Sequence, residues 1–172
     1  MGIVNIAVIG AGYLGKFHAQ KYAALDNCQL VGLVDSNPST VEEMANLYPE
    51  AKASTDFLAL IDDVDAVSIV TSTPFHYEIA KQFLSRGKHV LLEKPMTSTT
   101  EQAEELIKIA KDQHCILQIG HIERFNPTVL AMDEHMQQPK FIESQRLSPF
   151  KARGTDVNVV LDLMIHDIDI IL

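Results

Sequence analysis

Cysteine is scarce in this 172-residue chain: only Cys28 and Cys115 occur, with no His or Cys partner at metal-ligand spacing. That excludes a disulfide framework and a thiolate metal centre. Both residues fall in or beside apolar runs, where a reduced thiol packs as a small core side chain, so a cytoplasmic protein without a bound metal is expected. No apolar run approaches the roughly 18 residues of a membrane span, and Val4 to Ile9, ended by Gly10, is too short for the core of a secretory leader. Positive charge is also in deficit. Lys and Arg number 14 against 23 Asp and Glu, a net charge of −9, and the basic residues are scattered. General affinity for nucleic-acid phosphate is thereby excluded. Internal repeats and low-complexity segments are missing as well.

What is present is a globular composition, 47% hydrophobic and 22% charged. A chain of this length buries roughly 70% of its unfolded surface, so a core is assured. The stretch Val4 to Gly15, VNIAVIGAGYLG, runs apolar and then meets glycines at 10, 12 and 15. This reads as strand, tight turn and helix start, with Tyr13 and Leu14 opening a helix to Leu25. In G-x-G-x-x-G the first glycine permits the turn, the second lets backbone approach a pyrophosphate, and the third lets the helix close on the strand. The helix N-terminus offers N–H groups and a positive dipole end to phosphate. Three glycines at this spacing also occur in ordinary βα turns and in S-adenosylmethionine-dependent methyltransferases. A second apolar run, Leu30 to Val34, decides between them by ending in Asp35, twenty residues beyond Gly15, where a ribose-binding carboxylate is expected. Dinucleotide binding follows, with NAD rather than NADP, because a carboxylate accepts the ribose 2′-OH and repels a 2′-phosphate.

The alternation continues downstream. Pro38 suits the first position of a helix through Leu47, Ala51 to Ala53 form a short strand, and Asp56 to Ile61 a small helix. Ala66 to Val70 is the next buried strand, ending in Thr71-Ser72-Thr73-Pro74. Helix Phe75 to Ser85 stops at Gly87, strand Lys88 to Leu92 ends in Glu93-Lys94-Pro95, helix Thr99 to Lys111 follows, and Cys115 to Ile119 is a further strand. Strand and helix alternating over residues 3 to 120 specify an α/β, doubly wound parallel sheet of the Rossmann type. After Gly120 the rhythm changes: a helix reaches Met136, Phe141 to Leu147 alternate as a strand, Ser148 to Asp156 read as an exposed loop, and Val157 to Leu172 as a helix. Residues 1–120 are therefore expected to be a dinucleotide-binding domain, and 121–172 the beginning of a truncated α+β substrate domain, since the last helix is too apolar to end in water.

Three groups carry chemistry with two readings each. Lys94, between a carboxylate and a proline at a strand end, is either a cation that stabilises a developing alkoxide or a solvated lysine paired with Glu93. Asp162 and His166, four apart on a helix, are either a carboxylate-tuned acid/base or a surface pair. His76, in the first turn of its helix, either caps or packs against a cofactor or is structural; His18 and His121 are similar cases.

Glu93-Lys94-Pro95, Asp162-x-x-x-His166 and the glycine loop together resemble the Gfo/Idh/MocA family of sugar oxidoreductases, named for glucose-fructose oxidoreductase and inositol dehydrogenase. Thr71-Ser72-Thr73-Pro74-x-His76 is similar to that family's strand-four loop, which contacts the dinucleotide. The resemblance implies an NAD-dependent oxidoreductase acting on a secondary hydroxyl of a sugar or nucleotide sugar by hydride transfer, with Lys94 as the catalytic lysine, His166 as the acid/base and Asp162 as the carboxylate near substrate. It also implies a homo-oligomer when full length. Gly120-His121-Ile122-Glu123-Arg124-Phe125-Asn126-Pro127 and the Asp-Leu-x-Ile-His-Asp-Ile-Asp ending resemble the branch acting on UDP-N-acetylamino sugars at C3. The rival reading is a catalytically silent dinucleotide sensor of the same fold.

Overall fold

The computed structural model describes residues 2–133, 138–147 and 157–172. These divide into two compact units, Met1–Ile119 and Gly120–Leu172. The first alternates strictly: β1 (Val4–Ile9), α1 (Tyr13–Ala23), β2 (Cys28–Val34), α2 (Pro38–Leu47), β3 (Lys52–Ser54), a 3₁₀ turn (Phe57–Leu60), β4 (Ala66–Ile69), α3 (Thr73–Leu84), β5 (His89–Leu92), α4 (Thr100–Asp112) and β6 (Leu117–Ile119). All pairings are parallel, and the strand order is β3-β2-β1-β4-β5-β6. The chain thus winds outward from β1 in one direction and from β4 in the other. Their carboxyl ends meet at the switch point where open α/β sheets bind ligands.

Both faces of the sheet are covered, which is why its strands read as apolar runs rather than alternating ones. Ala7 and Ile9 pack on one face with Leu60, Val67, Phe83, Leu92 and Leu106. Val8, between them, points the other way to Ala19, Leu33 and Met44. A register shift between Ile6 and Ala7 lets β1 step past Val31, so Ala7 faces Gly32. The expected elements are recovered with small shifts at their ends. α1 stops two residues before Leu25, and α3 starts at Thr73, taking Pro74 into its first turn, where a missing N–H loses nothing. Gly87 adopts a φ of 73° after α3, the left-handed stop expected there.

The second unit holds a 3₁₀ turn (Ile122–Phe125), α5 (Pro127–Asp133), a π-helical turn (Val160–Met164) and α6 (Ile165–Ile171). The helix expected to reach Met136 is described to Asp133, and residues 134–137 lie outside the described residues, as does the expected loop Ser148 to Asp156. Two expectations are corrected. Residues Phe141 to Leu147 form no strand; Phe141 and Leu147 are 82% and 91% exposed. Alternation specifies a strand only where another strand supplies the ladder, and here Arg146 is held instead by Asp167. The last helix is not α-helical throughout, because the π turn precedes Ile165. Asn158 caps that turn, its Oδ1 accepting the N–H groups of Val160 and Leu161 at 3.1 Å each. Among the described residues no helix is long and apolar enough to cross a membrane.

Candidate functional site

A cavity of about 530 Å³ opens at the carboxyl ends of β1, β2 and β4, lined by Gly10, Gly12, Val34, Asp35, Thr71, Ser72 and Phe75 among others. Its floor is set by the glycine loop. Gly10 has φ 93°, and a Cβ there would sit 2.8 Å from the backbone of Val70 and Thr71. A Cβ on Gly15 would overlap the Gly10 carbonyl oxygen, so the helix can close on the strand only without one. Gly12 differs: a Cβ there would have no protein atom within 4 Å among the described residues. The fold needs glycine at 10 and 15, whereas Gly12, the N-cap residue of α1, keeps space in front of that N-terminus.

Asp35 follows β2 on the wall of this cavity and is itself engaged on both oxygens. Its Oδ2 accepts the Ala11 N–H at 2.9 Å, and its Oδ1 accepts the Asn37 N–H at 2.9 Å. The carboxylate therefore ties the glycine loop to the start of α2. Across from it, the Thr71 Oγ1 is buried and has no hydrogen-bond partner among the described residues. Buried hydroxyls without partners are uncommon. A cradle kept open at Gly12 and a carboxylate at Asp35 on its wall fit a dinucleotide with its phosphates on α1.

The other residues expected at the cofactor are placed around this cavity rather than on its wall. Tyr13 is 76% exposed and stacks edge-on against Phe17, and Leu14 is 43% exposed. Thr73 is buried and Pro74 exposed in the first turn of α3. His76 is 1% exposed, with Nδ1 2.9 Å from the Pro95 carbonyl oxygen and Nε2 2.9 Å from the Thr71 carbonyl oxygen. It clamps the loop after β4 to the loop after β5.

Glu93 and Lys94 end β5, one strand beyond β4. Glu93 is buried, and its Oε2 accepts the Lys94 N–H at 3.3 Å. Its Oε1 lies 3.3 Å from His18 Nε2 on α1. Sequence reasoning treated His18 as one histidine among several, because residues 75 positions apart leave no local trace of their contact. Thr55, Phe57, Phe75 and Glu78, which also line the cavity, were missed for a similar reason: they come from the connections after β3 and β4 rather than from a motif.

In the second unit Asp162 lies in the π turn and His166 in the first turn of α6. The acids after His166 are not incidental. Arg124 makes a two-point contact with Asp169, and Arg146 one with Asp167. The Arg146 guanidinium holds the Asp167 carboxyl below the usual carboxylate range, and Arg124 does the same for Asp169. The segment carrying His166 is thus pinned at two points.

Residues 4–121 match the family model GFO_IDH_MocA, described as an oxidoreductase family with an NAD-binding Rossmann fold. A UDP-N-acetylglucosamine 3-dehydrogenase of Acidithiobacillus ferrooxidans is 46% identical over 98% of this chain and 53% of its own length. The solved structure of a UDP-N-acetylglucosamine 3-dehydrogenase from that organism superposes with a TM-score of 0.90 at 43% identity, covering 99% of this chain and 56% of that one. A protein from gentamicin A biosynthesis, solved in complex with NAD, superposes with a TM-score of 0.75 at 26% identity over 78% of this chain and 39% of its own. The chain spans about half the length of the curated relatives it matches.

Proposed function

Since this chain belongs to the Gfo/Idh/MocA oxidoreductase family, we propose that residues 1–120 bind NAD and that the protein oxidises a secondary hydroxyl of a nucleotide sugar. The substrate class is a UDP-N-acetylamino sugar, oxidised at C3, with residues 121–172 belonging to the substrate domain. The observation that carries the reading is the cavity at the β1/β4 switch point, lined by Gly10, Gly12, Asp35 and Thr71, with open space kept at Gly12. The dinucleotide supplies the hydride acceptor. The chain supplies the rest.

Gly10, Gly12 and Gly15 bring the α1 N-terminus to the phosphates, and Asp35 accepts the adenosine ribose hydroxyls. His166 takes the proton of the reacting hydroxyl, an imidazole being suited to proton transfer near neutral pH. The Lys94 ammonium stabilises the negative charge that develops on that oxygen. Asp162 orients substrate beside His166. Dissociation constants for NAD and NADP test the cofactor: NAD is expected to bind at least tenfold tighter, and tighter NADP binding would remove the Asp35 argument. Turnover of UDP-N-acetylglucosamine by the Lys94→Met protein tests the chemistry, and undiminished kcat would take Lys94 out of the mechanism.

A further inference from the structure

We propose that His18 is a positioning residue that fixes the Glu93 carboxylate, and through it the Lys94 backbone, at the carboxyl end of β5. The inference deepens the dehydrogenase reading and rests on it. Ser68, in β4, is fully buried, and its Oγ lies 2.8 Å from His18 Nδ1. The opposite ring nitrogen, Nε2, lies 3.3 Å from Glu93 Oε1, and the two side chains are only 16% and 12% exposed. A carboxylate can only accept, so Nε2 carries a proton toward it, and in the neutral ring the bare Nδ1 accepts the Ser68 hydroxyl proton. Tyr22, one turn further along α1, packs edge-on against the His18 ring, with ring centroids 6.4 Å apart. The His18 ring therefore joins the buried Ser68 hydroxyl on one side to the Glu93 carboxylate on the other.

At the far end Glu93 Oε2 accepts the Lys94 N–H. Each oxygen of a buried carboxylate is thus engaged, one by His18 and one by the residue whose side chain is to face the reacting oxygen. Electrostatic stabilisation is effective only when the charged group is held in place before the reaction. His18 stands three residues beyond Gly15, so the helix that begins at the glycine loop also aims the β5 end. No proton is transferred along these contacts, and their part is orientation.

Two measurements test it. In ¹⁵N-labelled protein the His18 ring is expected to show a protonated Nε2 and an unprotonated Nδ1, and Ser68→Ala should shift it toward a mixture. A wild-type ring protonated on Nδ1 alone, or exchanging between tautomers, would overturn the arrangement. In sugar oxidation His18→Leu is expected to lose about ten- to a hundredfold in kcat, with the KM for dinucleotide within about twofold, the size of effect seen when a supporting shell is removed. His18→Gln, whose amide can donate to Glu93, should recover part of the loss. Unchanged kcat in folded His18→Leu, or a raised KM at unchanged kcat, would overturn the positioning role. Ser68→Ala covers an unfolded His18→Leu: a smaller kcat loss accompanying the tautomer mixture supports the role, and none refutes it. A wild type that oxidises no sugar would overturn the dehydrogenase reading, and the nitrogen spectrum would still decide the Ser68, His18 and Glu93 arrangement.

Discussion

At the residue scale the three glycines of the loop separate folding from binding. Gly12→Ala places its methyl in open space, so the melting temperature should move by less than about 2 °C, as for an exposed substitution. Its NAD dissociation constant should rise at least tenfold, since that space lies before the α1 N-terminus. Gly15→Ala is the converse, because its methyl overlaps the Gly10 carbonyl, and a loss of about 3 kcal/mol or more in urea unfolding is expected. Equal effects of the two substitutions on melting would contradict this division. The motif gave the three positions their different jobs, but not which atoms a side chain at each would strike, since spacing records which residue is small and not its neighbours. The same limit applies to His76. Its place after Thr73-Pro74 was legible, whereas its two backbone carbonyl partners come from loops 5 and 19 residues away. Replacing it with Leu leaves those carbonyls buried and should cost about 2 kcal/mol, with solvent denaturation as the check.

At the element scale the sequence specified strands where an apolar run ends in a residue that chemistry or turning requires, as at Gly10, Asp35, Thr71 and Glu93. It failed where pairing was needed: Phe141 to Leu147 alternate correctly and still form no strand. It also failed to show the π turn before α6, whose residues differ in no obvious way from α-helical ones. The Arg pairs explain how α6 is nonetheless anchored, and they carry a pH dependence. Asp167 and Asp169 titrate lower in the folded protein than in the unfolded chain. Their contribution is therefore fully present above the unfolded value of about 3.9 and is lost as pH falls through the folded values. In the carboxyl ¹³C signals of Asp167 and Asp169 the main titration step should fall below about pH 4, apart from any smaller response to the neighbouring His121 and His166; a main step above about pH 4 would mean that the Arg pairs do not hold these carboxylates. Arg124 is 62% exposed, so Arg124→Met should change stability by no more than about 1 kcal/mol while raising the pH at which Asp169 titrates.

At the scale of the whole molecule, the parallel order β3-β2-β1-β4-β5-β6 was legible in class, since alternating elements leave few other topologies, but the cavity wall was not, because it is assembled from connections that only the winding brings together. A ligand held there by β1, β2 and β4 should stabilise the first unit as a body. NAD at a hundred times its dissociation constant is expected to add about 2.7 kcal/mol, seen as slowed hydrogen exchange through β1, β2 and β4. Protection confined to the glycine loop would argue against a site spanning the switch point. The outermost strand has a consequence of another kind. β3 is three residues long, and its Lys52 reaches back to the Ala59 carbonyl and to Asp63. A free sheet edge invites strands of other molecules to add on, and one this short, bearing a lysine, offers them little ladder and a charge to desolvate. Lys52→Val should therefore leave the fold intact yet bring turbidity at concentrations where the parent solution stays clear.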